Sequence, residues 1–185
     1  MGGLLLAASL RLLFWFLAAC LVHELGHWAA IRALGGRVAD FRLTGVGAVI
    51  FPARSRFFSY REECLVALAG PAASLLLALA AGCWGRWLGS EDAYLLTGLS
   101  LVLGLFNLLP AEPLDGGRAV RAAFSLAAGP DWGDRLEGIL TRILGGLLLG
   151  AGLWVLSKTG NFLLALCGGW LLCRGLGEGK QNAAG

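Results

Sequence analysis

His23-Glu24-Leu25-Gly26-His27 puts three groups able to do chemistry within five residues. On a helix, positions four apart share a face. Both imidazoles then reach one metal ion, with Glu24 beside them. This is a metal-hydrolase arrangement, with two nitrogen ligands and a carboxylate placed to take a proton from water. A helical histidine pair is often merely structural. Here the chain has two histidines in all, and both are in this motif. The motif also lies in an apolar stretch, where ionisable groups are costly and rarely accidental.

Two histidines leave the ligand set short, because a catalytic zinc commonly takes three protein ligands and keeps one open position. The five cysteines (Cys20, Cys64, Cys83, Cys167 and Cys173) form no Cys-x-x-Cys pair, are odd in number, and mostly lie in or at the ends of apolar runs. They read as small apolar residues of membrane helices, not as ligands or a disulfide framework. The candidate third ligand is therefore a carboxylate. Asn107-Leu-Leu-Pro110-Ala-Glu112-Pro113-Leu-Asp115-Gly116-Gly117 ends an apolar run. Two prolines break the helix, and the glycines allow tight backbone around Asp115. Taken alone, a solvated aspartate in a helix-ending turn explains this segment equally well. Glu112 is the less favoured substitute for Asp115.

The elements that must position these groups are membrane helices. The 185 residues are 57% hydrophobic and only 15% charged, against about 25% charged in soluble domains. Mean hydropathy is +0.73. The net charge of +3 is too small to suggest a nucleic-acid partner. Runs poor in charge place helices at 12–34, 64–85, 93–111, 143–157 (extending back to about 137) and 159–173. The expected fold is an all-α polytopic membrane protein of about five transmembrane helices, the fifth short. Residues 38–52, with Val38, Phe41, Leu43, Val46, Val49, Ile50 and Phe51 around Gly45 and Gly47, read as a short membrane-associated β segment after the first helix. An unpaired edge there would hold an extended peptide; a plain connector is the alternative. Gly145, Gly146, Gly150 and Gly152 suit close helix packing, or simply reflect membrane composition. No cleavable leader is expected, since no basic residue precedes the first apolar ones.

Basic residues sort by loop. Ten (Arg37, Arg42, Arg54, Arg56, Arg61, Arg118, Arg121, Arg135, Arg174, Lys180) fall on one predicted side, and three (Arg11, Arg86, Lys158) on the other. The positive-inside rule puts the ten in the cytoplasm. At 1.5 Å per residue, His27 then lies about 10 Å and His23 about 16 Å in from the cytoplasmic end of its helix.

His-Glu-Leu-Gly-His on one membrane helix, followed by Asn-x-x-Pro-x-x-x-Leu-Asp-Gly-Gly at the end of another, resembles the site-2 protease family of intramembrane zinc metalloproteases. Ala69-Gly70-Pro71 and the strand-like segment are similar to that family as well. The resemblance covers about residues 11–121. It is greatest to compact bacterial sporulation proteases that process sigma factors. It implies that His23, His27 and Asp115 bind one zinc ion per chain. It further implies that Glu24 is the general base and that Asn107 lines the site, where it either donates to the developing oxyanion or caps the broken helix. The implied substrate is a membrane-associated protein such as a pro-sigma or anti-sigma factor, cut within or near the bilayer of a bacterial cell membrane, with the site toward the cytoplasm and a membrane regulatory partner. The family often has asparagine three residues after the Gly-Pro step; here it is Ser74, to which no role is assigned. Residues 1–10 are expected to be a remnant of a first helix, 11–121 the catalytic core, 122–174 C-terminal membrane helices and 175–185 a flexible tail. A non-catalytic helical bundle or pseudoprotease is the rival reading.

Overall fold

The computed structural model describes residues 2–36, 38–44, 47–52 and 59–181. In chain order these form α1 (Gly2–Ala33), β1 (Val38–Thr44), β2 (Gly47–Pro52), α2 (Tyr60–Leu88), α3 (Glu91–Asn107), α4 (Asp115–Ala128), α5 (Pro130–Thr159) and α6 (Leu163–Gln181). The strands pair antiparallel, with Thr44 opposite Gly47 and Arg42 opposite Val49. Arg37, Val46, Arg54 and Arg56, used above for topology and strand pattern, lie outside the described residues.

Three segments are long and apolar enough to cross a bilayer: Leu6–Ala33, Tyr60–Leu88 and Pro130–Thr159. Their outer faces carry exposed Leu13, Phe14, Leu76, Leu79, Leu147 and Trp154. Such a surface suits lipid and would be insoluble in water. The protein is an integral membrane protein. α3 has 17 residues, and the apolar stretch of α6, Leu163–Leu176, is also short.

The apolar runs predict five helices, and the described residues form six. α4 is the addition, in a stretch the sequence assigns to a turn and loop. Residues 2–10, read above as a short N-terminal segment, form the start of α1. Residues 175–181, expected to be tail, lie in α6.

The chain forms two compact units, Met1–Asn107 and Leu108–Gly185. Their boundary lies inside the 11–121 stretch expected to be one core. In the first unit α1 packs on α2 and α3, and α2 packs on α3. α1 stops at Gly35, whose φ of 75° returns the chain, with the Gly36 N–H bonded to the Ile31 carbonyl at 2.9 Å. Ser59 caps α2 in a capping box with Glu62. The start of α3 is tied to α1. Arg11 Nε donates to Asp92 Oδ1 at 2.5 Å, and Trp15 Nε1 donates to the same oxygen at 2.9 Å.

In the second unit α5 packs on α4 and α6. Gly145, Gly152 and Gly168 line the α5–α6 contact. A Cβ at Gly145 would stand 2.9 Å from the Leu172 nitrogen, while Gly146 and Gly150 face open space. Two of the four glycines singled out above therefore serve close packing and two do not. The turn before α4 is held on α5 and α6. Ala111 and Leu114 bury against Leu171, with Leu144 and Leu148 beside them. The Glu112 N–H donates to Thr141 Oγ1 at 2.9 Å, and that hydroxyl donates to the Glu137 carbonyl at 2.8 Å.

Candidate metal centre

α1 carries His23 and His27 one turn apart, both buried, at 4% and 7% exposure. Each ring is held through Nδ1 by α2. His27 Nδ1 lies 2.8 Å from the Val66 carbonyl oxygen, which can only accept, so this nitrogen carries the proton. His23 Nδ1 lies 2.9 Å from Ser74 Oγ. The two Nε2 atoms then converge at 3.2 Å, with the rings edge to face. Two nitrogens bound at ~2.0–2.1 Å to one tetrahedral ion would stand about 3.4 Å apart. The donor set and its spacing therefore fit a metal ion.

Small residues make this possible. A Cβ at Gly26 would stand 2.6 Å from the Ala69 carbonyl oxygen and 2.7 Å from Ala73 Cβ. A Cβ at Gly70 would strike His27 Nε2 and stand 2.8 Å from His23 Nε2. Glycine at 26 and 70 lets α2 cross directly over the imidazoles.

Glu24 follows His23 on α1 and is half-buried. Asn107, the last residue of α3, uses its side-chain N–H to bond the Leu103 carbonyl at 3.0 Å, as a helix cap does. In the second unit, Asp115 opens α4 and is buried at 8% exposure, with Arg118 Nη1 3.7 Å from Oδ1. Negative charge at a helix N-terminus is favourable. Gly116 and Gly117 are packed under the preceding turn, where a Cβ at Gly116 would collide with the Leu108 carbonyl oxygen. Glu112 is engaged elsewhere, with Arg174 Nη1 3.8 Å from its carboxylate.

In the sequence Ser74 stands out, three residues after the Gly-Pro step, but without an assigned role; the structure puts its Oγ on a His23 ring nitrogen.

Residues 90–151 match the family described as Peptidase family M50. The chain is 39% identical over 117 residues to the putative zinc metalloprotease Rip3 of Mycobacterium tuberculosis, covering 57% of this chain and 29% of that protein. It is 31% identical over 159 residues to stage IV sporulation protein FB of Bacillus subtilis, covering 82% of this chain and 52% of that protein. The chain thus spans about half or less of these relatives. Among solved structures, the site-2 protease from Methanocaldococcus jannaschii matches with a TM-score of 0.69 and 25% identity, over 91% of this chain and 77% of that one. The histidine pair and its buried α1–α2 setting accord with these matches: the chain is similar to peptidase family M50 over residues 90–151, and its fold is similar to that of the site-2 protease.

Proposed function

We propose that this chain is an intramembrane zinc metalloendopeptidase that hydrolyses peptide bonds of membrane-associated proteins. The observation that carries it is the buried His23–His27 pair, whose Nε2 atoms converge at 3.2 Å beside Glu24. Relatives named as zinc metalloproteases support the choice of metal.

His23, His27 and Asp115 are read as the ligands of one zinc ion. All three are buried, and each offers one ligand atom. Asp115 is preferred over Glu112 because it is the more deeply buried of the two, at 8% exposure, and stands in the Leu-Asp-Gly-Gly motif. When bound, zinc supplies Lewis acidity that polarises the scissile carbonyl and lowers the pKa of water. Glu24 accepts the proton of the attacking water and passes it to the leaving amine. Asn107 has a second amide proton beyond the one bonded to Leu103, and donates it to the developing oxyanion. A helical substrate must unwind first, because its carbonyls are otherwise bonded within the helix.

The proposed topology has five spans (α1, α2, α3, α5 and α6), with the amphipathic α4 and the β1–β2 pair at the cytoplasmic surface. This places the histidines in the cytoplasmic half of a bacterial cell membrane. A pro-sigma factor is one substrate class implied by the resemblance to sporulation proteases; one relative is named as a stage IV sporulation protein.

The deciding experiment uses Glu24→Gln in purified full chain, with cleavage of a membrane substrate and zinc content measured together. Cleavage should fall by about 10²- to 10⁴-fold, with zinc retained. Undiminished cleavage would remove Glu24 from the chemistry and favour a helical bundle without catalysis by this motif. Loss of zinc would make Glu24 structural.

A further inference from the structure

We propose that Thr141 is a positioning residue for Asp115: its hydroxyl fixes the turn from which the aspartate enters α4. The proposal rests on the reading of Asp115 as a zinc ligand and deepens it. Every residue in it belongs to the second unit.

The direction of each bond is set by chemistry. The backbone amide of Glu112 can only donate, and it lies 2.9 Å from Thr141 Oγ1. The Glu137 carbonyl oxygen can only accept, and Oγ1 lies 2.8 Å from it. The hydroxyl therefore takes one proton and gives one. The bond to Glu137, four residues back, is ordinary for a helical threonine. The bond to Glu112 is not, since it reaches a separate segment 29 residues earlier in the chain.

That segment has a donor to place. Within the turn, the Ala111 N–H bonds the Leu109 carbonyl and the Leu114 N–H bonds the Ala111 carbonyl, both at 2.8 Å. Pro113 has no N–H. The Glu112 N–H points out of the turn, into surroundings closed to water: Thr141 is 1% exposed and Ala111 0%. A backbone donor left unmet in such a place is costly. The Glu112 side chain gives a looser tie. Arg174 Nη1 stands 3.8 Å away with half its side chain exposed, and such pairs are weak.

The first turn of α4 rests on the same atoms. A Cβ at Gly117 would stand 2.6 Å from the Ala111 carbonyl oxygen and 2.9 Å from the Glu112 nitrogen. A shift of that nitrogen therefore passes to Gly117 and to Asp115, which opens the same helical turn. Threonine serves the place at both ends. Its methyl faces α6, where a Cβ at Gly175 would stand 3.3 Å from Thr141 Cγ2, while its hydroxyl meets the turn.

The test compares Thr141→Val, which keeps the shape without the hydroxyl, and Thr141→Ser, which keeps the hydroxyl, in purified full chain. Amide hydrogen exchange is read on metal-free protein. Zinc affinity is read by chelator competition, with Asp115→Ala alongside. In Thr141→Val the Glu112 and Leu114 amides should exchange about 10- to 100-fold faster, while those of α6 keep their rates. Zinc should weaken by about 10- to 100-fold, as when a group that orients a ligand is lost. Thr141→Ser should stay within about 3-fold of wild type in both measurements. Unchanged exchange in Thr141→Val overturns the proposal. So does faster exchange spread equally through α6, or equal loss in both variants, since each reports packing alone. If Thr141→Val loosens the turn but binds zinc like wild type, while Asp115→Ala does not, the positioning role fails by itself. If Asp115→Ala keeps wild-type zinc affinity, the ligand reading fails instead, and the exchange rates alone decide whether Thr141 holds the turn.

Discussion

At the residue scale, the site divides into groups whose roles follow from spacing and groups whose roles follow from contact. His23 and His27 are legible as a pair because the helical period puts i and i+4 on one face. Ser74 is only half legible: its place after the Gly-Pro step stands out in the sequence, but its contact with His23 exists only where α2 crosses α1. Asn107 shows a further limit of sequence: its amide bonds the Leu103 carbonyl, so capping and oxyanion binding are compatible for one side chain. Asp115 is the residue on which the proposed ligand set depends. Asp115→Ala should lower zinc affinity by more than about 100-fold, beyond the 10- to 100-fold effect of outer-shell partners, and abolish cleavage with it. Glu112→Ala should leave zinc in place, since it removes a group paired with Arg174. Zinc analysis of both variants checks this, and the opposite ranking would assign the third ligand to Glu112.

At the element scale, long apolar runs marked α1, α2 and α5 clearly, because an uncharged stretch of ~20 residues has few other uses. α4 escaped notice for a physical reason. Asp115-Gly116-Gly117 reads as a turn, since glycine is a poor helix former by about 1 kcal/mol. The structure spends these glycines on close approach instead. Gly116 and Gly117 admit the backbone of Leu108 to Ala111 over the first turn of α4, and tertiary packing overrides propensity. The same logic governs the α1–α2 crossing and can be tested there. A methyl group at Gly70 would sit where His27 Nε2 sits, whereas one at Gly98 on α3 meets nothing within 4 Å. Gly70→Ala should therefore abolish zinc binding and destabilise the first unit by about 1–3 kcal/mol, the usual cost of overpacking. Gly98→Ala should bind zinc normally and gain up to about 1 kcal/mol from helix propensity. Zinc content and thermal unfolding in detergent read both effects. Normal zinc binding by Gly70→Ala would mean that α2 does not cross at the imidazoles.

At the scale of the whole molecule, the membrane decides what the site can reach. Composition alone identified a membrane protein, and the lipid-suited outer faces of α1, α2 and α5 accord with it. Orientation is a different matter, because it depends on charge bias between loops and not on packing. The bias is ten basic residues against three. Acidic residues count for little in this rule, so the pairing of Arg11 with Asp92, and with Glu91 at 3.5 Å, leaves the bias as it stands. Ser90, between α2 and α3, should therefore face outside, and Ala48, on β2, should face the cytoplasm. In a background lacking the five native cysteines, a cysteine replacing Ser90 should react with an impermeant thiol reagent added to intact cells. A cysteine replacing Ala48 should react only after the membrane is opened. The reverse pattern would put the histidines in the outer half of the bilayer, and a cytoplasmic sigma factor could not then be the substrate. Labelling of both from outside would show that α1 does not separate the hairpin from the exterior, and the five-span topology would fall with it.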